Sequence, residues 1–471
     1  MTAKSRLKLT VNPANKTLKT ANSFVVAVLG VFLLLTINNI RDTFSFFEYQ
    51  SSIFASSTST SSDRYQPIQQ GASERIAQQD FSEIDRLAKQ LNYSGSSVTE
   101  LANLLEQNAA TELDKARIIY AWITQHITYD VPAFVDAVNN DRYPEVNPTK
   151  VLRDRTTICS GYSNLYHALA EAMNLESAIV AGYAKGATPT DDSRFQDVNH
   201  AWNSVRIDGA WYLLDATFGA GSVVNEKFVP KYKPYYFATS PEQFINNHYP
   251  QDKNWQLLTP KYTRAKFDNL PNISSRFYSL GLETVTHHNY KINASDRIDL
   301  RLKAPDNIIA IANLTQNNQD LTSGTVLVNR QSENVIVNVA PPNAGTYELT
   351  IYAKQQDDPG QYGQIIKYQI EATDSAAELP TIYGHFHQSQ ASLIEPLSAE
   401  LQSNWSTYFN LVVPEAIDVQ VINTDTKEWT PLDSYGNYFA GNVDIKPGST
   451  TVVAKFPGDE QYWQLVEYQA K

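Results

Sequence analysis

Cysteine is nearly absent: Cys159 is the only one in 471 residues. An internal disulfide is thereby excluded, and a lone thiol has to be explained on other grounds. Basic clusters are missing too. The formal charge is −12 and the pI about 5.2, and no Lys/Arg run in the body of the chain could neutralise a row of phosphates, which sets nucleic-acid binding aside. Metal, nucleotide and flavin signatures are also lacking, so no cofactor and no metal site are expected.

Residues 1–22 lack acids altogether while carrying Lys4, Arg6, Lys8, Lys16 and Lys19. This basic tail precedes an apolar stretch, assigned to 23–40, which with its flanks approaches the roughly 20 residues needed to cross a bilayer. No small-x-small cleavage pattern follows it, so the reading is an uncleaved transmembrane anchor with its basic end cytoplasmic. The protein is then expected to be single-pass, the bulk of the chain extracytoplasmic, periplasmic in a bacterium. Residues 41–75, rich in serine between Ser51 and Ser62, read as a flexible tether.

Beyond the tether three folded segments are expected. Over 76–265 the pattern is α+β. Apolar residues recur at helical spacing from Asp80 to about Leu91 and from Val98 to about Tyr129, and again in the stripe Tyr162, Leu165, Tyr166, Leu169 and Met173. Strand-like runs follow at Ser177–Tyr183, Ala201–Ile207 and Trp211–Thr217. Over 266–375 and 376–471 short alternating strands predict two β-sandwiches. A weak echo supports the pairing: Gln364–Ile370 resembles Gln464–Ala470, and Leu302–Ile309 resembles Leu411–Asp418.

Cys159 falls at the start of the helical stripe, where unpaired backbone N–H groups and the helix dipole favour a thiolate. A nucleophile needs a base. His167, eight residues further along the same helix, is about 12 Å away along its axis, too far for proton transfer. His126 reads as a packed or surface residue. His385 and His387 would share one strand face as a metal pair lacking a third ligand, and adjacent His287 and His288 would point to opposite faces. His200 differs, because it opens a run joined by Asp208-Gly209, a strong hairpin signal, to a second run ending near Asp215. With Ile207 paired to Ala210, His200 faces Thr217 and Trp202 faces Asp215. His200 and Asp215 then become diagonal neighbours on one sheet face, an imidazole with its orienting carboxylate.

Thr157-Ile-Cys-Ser-Gly-Tyr162, His200-Ala-Trp-Asn203 and Trp211-Tyr-Leu-Leu-Asp-Ala-Thr217 resemble the three motifs of the transglutaminase-like superfamily, whose core is similar to that of papain-type cysteine proteases. Phe237–Ile245, His248-Tyr-Pro and Trp255-Gln-Leu-Leu258 look like its kyphoscoliosis peptidase branch, which carries immunoglobulin-like repeats after the core. The resemblance implies a nucleophile helix packed on an antiparallel sheet, with Cys159 as nucleophile, His200 as general base and Asp215 as its partner. Thr157 departs from the pattern, since many relatives have glycine there, and its β-branched side chain is expected to narrow the approach to the thiol. The function implied is thiol acyl transfer on amide bonds of a protein or peptide substrate, either hydrolytic or to an amine. A second oxyanion donor is not identified; Trp122 and Gln125 are the nearest candidates, with packing the preferred role for Trp122. A catalytically idle scaffold or adhesion protein, binding an envelope protein partner through the sandwiches, is the alternative.

Overall fold

The computed structural model describes residue 76 and residues 79–140, 142–186, 198–321 and 324–471. The first compact part of the chain begins with α1 (Ser82–Gln90), α2 (Val98–Glu106) and α3 (Glu112–His126). The single helix expected from Val98 to about Tyr129 is thus broken. Thr111 starts α3 with a capping box, its side chain accepting from Asp114 N while Asp114 accepts from Thr111 N, which satisfies two amides that a continuing helix would have paired internally. The break ends α2 at Glu106, and Ile127 leaves α3 in extended conformation to start β1 (Thr128–Tyr129). α3 is buried nearly all round, from Ala116 to Thr124. Its one charge there, Arg117, forms a forked pair with Asp85 at 2.7 and 2.8 Å, the arrangement that makes a buried guanidinium tolerable.

After β1 come α4 (Val131–Asn140), α5 (Pro148–Asp154), β2 (Thr156–Thr157) and α6 (Cys159–Ala172). β1 and β2 pair in parallel, Tyr129 opposite Thr157, so the approach to Cys159 is pinned to the end of α3. The expected stripe of α6 is the buried face: Tyr162, Leu165, Tyr166, Leu169 and Met173 are at most 1% exposed. Two of its phenols reach across to α3 and its exit, Tyr162 to Ile127 O at 2.7 Å and Tyr166 to Ala116 O at 3.3 Å. Apolar burial holds the two helices together, and these bonds fix their axial register.

A five-stranded antiparallel sheet lies against α6. It is built from β3 (Ser177–Ala184), β4 (His200–Ile207), β5 (Ala210–Leu214), β8 (Phe237–Thr239) and β9 (His248–Pro250), in the order β8-β5-β4-β3-β9. A separate hairpin, β6 (Gly221–Val224) with β7 (Lys227–Pro230), follows a short helix α7 (Ala216–Ala220). The β4–β5 hairpin has the register expected from its turn, Ile207 opposite Ala210 through Asn203 opposite Leu214. β5 stops at Leu214, however, because Asp215 caps α7 and turns the chain out of the sheet.

Two β-sandwiches follow. The first pairs a six-stranded sheet with a four-stranded one around Leu300, Leu302, Val337, Leu349, Ile351 and Tyr368. The second, in the compact unit Pro380–Lys471, again sets six strands against four. The echo between Gln364–Ile370 and Gln464–Ala470 has a structural counterpart. Each segment lies in the strand that takes a parallel partner, Lys291–Ala294 in one sandwich and Glu400–Leu401 in the other. Each strand also shifts register against its antiparallel neighbour, at Ile351/Tyr352 and at Val452/Val453.

One expectation requires correction. No helix among the described residues is long and apolar enough to cross a membrane, and the segment 23–40 assigned to an anchor lies outside the described residues, with the tail 1–22 and tether 41–75. The single-pass, extracytoplasmic placement, and the membrane as partner, therefore have no structural support and are withdrawn. His385 and His387 are not on a strand either. They sit in the short helix Gly384–Gln388, where residues two apart diverge, and His385 stacks on Trp463 at 4.3 Å.

Candidate active site

Cys159 is the first residue of α6 and is 5% exposed. Ile158, the capping residue, has no side chain that bonds the first turn, so no cap side chain competes for the amides there. Thr157 packs against the first turn of α6. Its side chain points into the helix, where a Cβ added at Gly161 would stand 1.9 Å from Thr157 Oγ1. The two positions are coupled: a threonine before the cysteine requires glycine one turn later.

β4 delivers the imidazole. Asn203 on β4 donates to Ser163 O at 3.0 Å, tying the sheet to the first turn of α6. Asn199 grips Ala184 through both its amide atoms, at 2.8 and 3.2 Å, which closes the mouth of the β3–β4 pair. Opposite His200 stands Gly182, whose missing side chain is required by close packing: a Cβ there would come within 2.4 Å of both Trp202 and Tyr249 O.

His200 Nε2 lies 2.7 Å from Asp215 Oδ2, both residues buried. The sequence reading brought these two together by strand register. The structure does so by a different route, since Asp215 is the cap of α7, its Oδ1 accepting from Thr217 N at 2.8 Å and Phe218 N at 3.0 Å. Burial works against charge on His200. The Asp215 carboxylate, by attraction and by hydrogen bonding, and Cys159 in the same two ways, outweigh burial and push the imidazole up to about 10. Burial likewise opposes the Asp215 anion, but His200 and His248 hold it well below the usual carboxylate range. With Nε2 committed to Asp215, Nδ1 is the ring nitrogen left for the thiol.

His248 was legible only as part of a branch signature, not as a site residue. It is fully buried on β9, with Nε2 2.9 Å from the same Asp215 Oδ2 and Nδ1 2.7 Å from the Asn247 side chain. No spacing rule links it to residues 159, 200 or 215. The ligating atoms of His200, Asp215 and His248 fall within 4.8 Å of one another, a set of types that can hold a divalent ion. Here both imidazoles address one carboxylate oxygen at hydrogen-bond distance while the other oxygen is taken by two amides, which describes a proton network rather than a coordination sphere.

The remaining candidates disperse. Trp122 Nε1 donates to Leu91 O at 2.9 Å, and Gln125 Nε2 donates to Ala121 O and Asp85 O, so both are committed away from the thiol. His167 bonds Ser177, His126 stacks on Trp122 at 4.7 Å, and His287 contacts Thr286. Tyr129 packs near the start of α6 instead. Its ring packs 6.5 Å from that of Tyr162, and burial followed by the charge of Cys159 raises its phenol well above the ordinary range.

Comparison with known proteins agrees with this architecture. Residues 99–216 match the transglutaminase-like superfamily, and residues 264–383 match the KY-like, immunoglobulin-like domain. Kyphoscoliosis peptidase of Homo sapiens is 32% identical over 310 residues, 64% of this chain and 45% of that protein. Hillarin of Drosophila melanogaster is 31% identical over 218 residues, 43% of this chain and 26% of that protein. Lim and transglutaminase domain protein ltd-1 of Caenorhabditis elegans is 29% identical over 222 residues, 44% of this chain and 30% of that protein. The chain spans less than half the length of these relatives. The chain thus contains a transglutaminase-like domain in its α+β core, followed by immunoglobulin-like β-sandwich domains, the first of them KY-like.

Proposed function

We propose that the core is a thiol acyl-transfer enzyme acting on amide bonds of proteins or peptides through Cys159, His200 and Asp215. The observation that carries this reading is the buried 2.7 Å contact between His200 and Asp215, with Cys159, at the start of α6, acting electrostatically on the same ring. An imidazole pushed up to about 10 is cationic at neutral pH, the state that pairs with a thiolate. The Cys159 sulfur attacks the amide carbonyl, and the Cys159 N–H at the helix end receives the developing oxyanion. His200 Nδ1–H then protonates the departing amine, leaving a thioester. In the second half His200 Nδ1 takes a proton from water or from an acceptor amine, whose attack releases the acyl group and regenerates the thiol. Asp215 retains its charge throughout and holds the ring by Nε2. Water as acceptor gives a peptidase or amidase; an amine such as lysine gives a cross-linker.

One observation favours the idle-scaffold reading instead: Cys159 is only 5% exposed. Alkylation separates the two. Iodoacetamide should modify Cys159 rapidly at and below neutral pH if the ion pair exists, whereas an inert buried thiol reacts slowly throughout. Mass spectrometry after incubation with a glutamine-containing peptide and a primary amine should then show hydrolysis or amine incorporation. A slow thiol with neither product would refute the enzyme reading.

A further inference from the structure

We infer that His248 is a positioning residue for the reacting pair, donating from Nε2 to Asp215 Oδ2 so that one carboxylate oxygen is shared between two imidazoles and can address His200 in a single direction. This inference rests on the proposed acyl-transfer site and adds a residue to it.

The geometry leaves little freedom. Asp215 Oδ2 meets His200 Nε2 at 2.7 Å and His248 Nε2 at 2.9 Å, and Oδ1 is anchored by the two amides of α7. All four contacts require donors, so each imidazole must carry hydrogen on Nε2. The backbone amides alone would let the carboxylate pivot about Oδ1. His248 removes that rotation. Its own ring is fixed by stacking on Phe244 at 4.0 Å, by Phe218 at 5.0 Å and by Trp202 at 5.1 Å, and β9 is held in the sheet by Ala184 opposite His248.

The protonation state follows from the surroundings. Burial, aided by the charge of His200, lowers His248 despite the hydrogen bond and attraction of Asp215. Nδ1 meets Asn247 Oδ1 at 2.7 Å, which holds the ring from its other side. His248 thus bridges Asn247 and Asp215, and His200 meets the same carboxylate oxygen. Other titratable groups that act on Asp215 are Lys233, whose ammonium burial lowers, and the phenols of Tyr120, Tyr129, Tyr162 and Tyr236, all raised by burial and hence un-ionised near neutral pH. None of these side chains is recorded donating to Oδ2, so His248 is the group positioned to steer that oxygen.

Two isosteric substitutions separate this role from space filling. The amide nitrogen of Gln reaches the position of Nε2, and that of Asn reaches only that of Nδ1. His248→Gln should keep the bond to Asp215, and His248→Asn should lose it while remaining polar and of similar bulk. Acylation of Cys159 by p-nitrophenyl acetate, followed across pH by nitrophenol release, should give near-wild-type rates for His248→Gln. For His248→Asn the maximal rate should fall about tenfold, and the acid-side loss of activity should move up by about one pH unit, the equivalent of one lost bond to a charged group. His248→Asn should also change the pH titration of the His200 ring, followed by imidazole nitrogen shifts, while His248→Gln should not. Equal behaviour of the two variants, whether both active or both impaired, overturns the inference. If the unsubstituted protein forms no acyl-enzyme, the acyl-transfer reading fails; the His200 titration still decides the role of His248, because it requires no substrate.

Discussion

Replacing Asp215 with Asn perturbs the site at the point where most contacts meet. The carboxylate accepts four hydrogen bonds, two on each oxygen. An amide has one oxygen, so if that atom keeps the cap of α7, its N–H₂ confronts two imidazole N–H groups. His200 loses the larger of the two influences, Asp215 and Cys159, that raise it to about 10 against burial, a loss of about 5 kcal/mol if the ring returns to 6.5, at 1.36 kcal/mol per unit. Taking the ordinary imidazole value of about 6.5 for the variant against about 10 for the wild type, the cationic fraction at pH 8 falls from nearly complete to about 3%, roughly thirtyfold, whereas at pH 6 it falls by less than about twofold. The variant's acylation rate should therefore be close to wild type at pH 6, apart from any pH-independent misplacement of the ring, and should diverge steadily above it. Histidine-labelled protein read by imidazole nitrogen shifts gives the midpoint directly. A wild-type His200 titrating at or below 6.5, or an Asp215→Asn ring titrating where the wild type does, would refute the reasoning. Stability carries the same signature with a defined sign. The raised His200 contributes fully below about 6.5 and loses its contribution as pH rises through about 10, whereas the depressed Asp215 loses its contribution as pH falls below about 3.8. The gap in melting temperature between wild type and Asp215→Asn should be widest between those limits and narrow towards alkaline pH.

Cys159→Ser should abolish acylation by amide substrates while shifting the melting temperature by no more than a few degrees, checked by calorimetry alongside intact mass. Tyr129→Phe, which keeps the ring packed on Tyr162, should lower the acylation rate by about tenfold if the phenol assists the oxyanion, with alkylation of Cys159 unchanged; an unaltered acylation rate assigns the ring to packing alone. Gly161→Ala places a methyl 1.9 Å from Thr157 Oγ1 and should cost about 1–3 kcal/mol in denaturant unfolding. Thr157→Gly in the same chain should recover most of that loss if the clash is its cause.

The sequence made the acid–base half of the site readable because a two-residue turn imposes register. Asp208-Gly209 fixes which residues of β4 and β5 stand opposite each other as far as Asn203 and Leu214, while the contact of His200 with Asp215 is completed beyond that register, where Asp215 caps α7. The exact ending of β5 was not visible in alternation alone, although Asp215-Ala-Thr217 is also a helix-start pattern, with an acceptor two and three residues ahead of its amides. The split between α2 and α3 was hidden because apolar periodicity runs smoothly across it, yet Thr111 and Asp114 form a capping box that marks it. His248 lay beyond such rules. It reaches Asp215 through the pairing of β9 with β3, a contact between distant strands that no local pattern specifies. Trp122 and Gln125, named only as the nearest candidates for a second donor, bond instead to Leu91 and Asp85, partners set by how α1 docks on α3.

The β4–β5 hairpin and the cap of α7 that follows it hold imidazole and carboxylate only fifteen residues apart on one continuous stretch, while the sulfur arrives from another element. Loop closure over so short a span costs little entropy, so the proton-handling pair can assemble as a local event, before or without the nucleophile. A descendant that exchanged its thiol for another side chain would inherit an intact buried ion pair, and with it a rigid sheet corner on which a purely mechanical or adhesive role could be built.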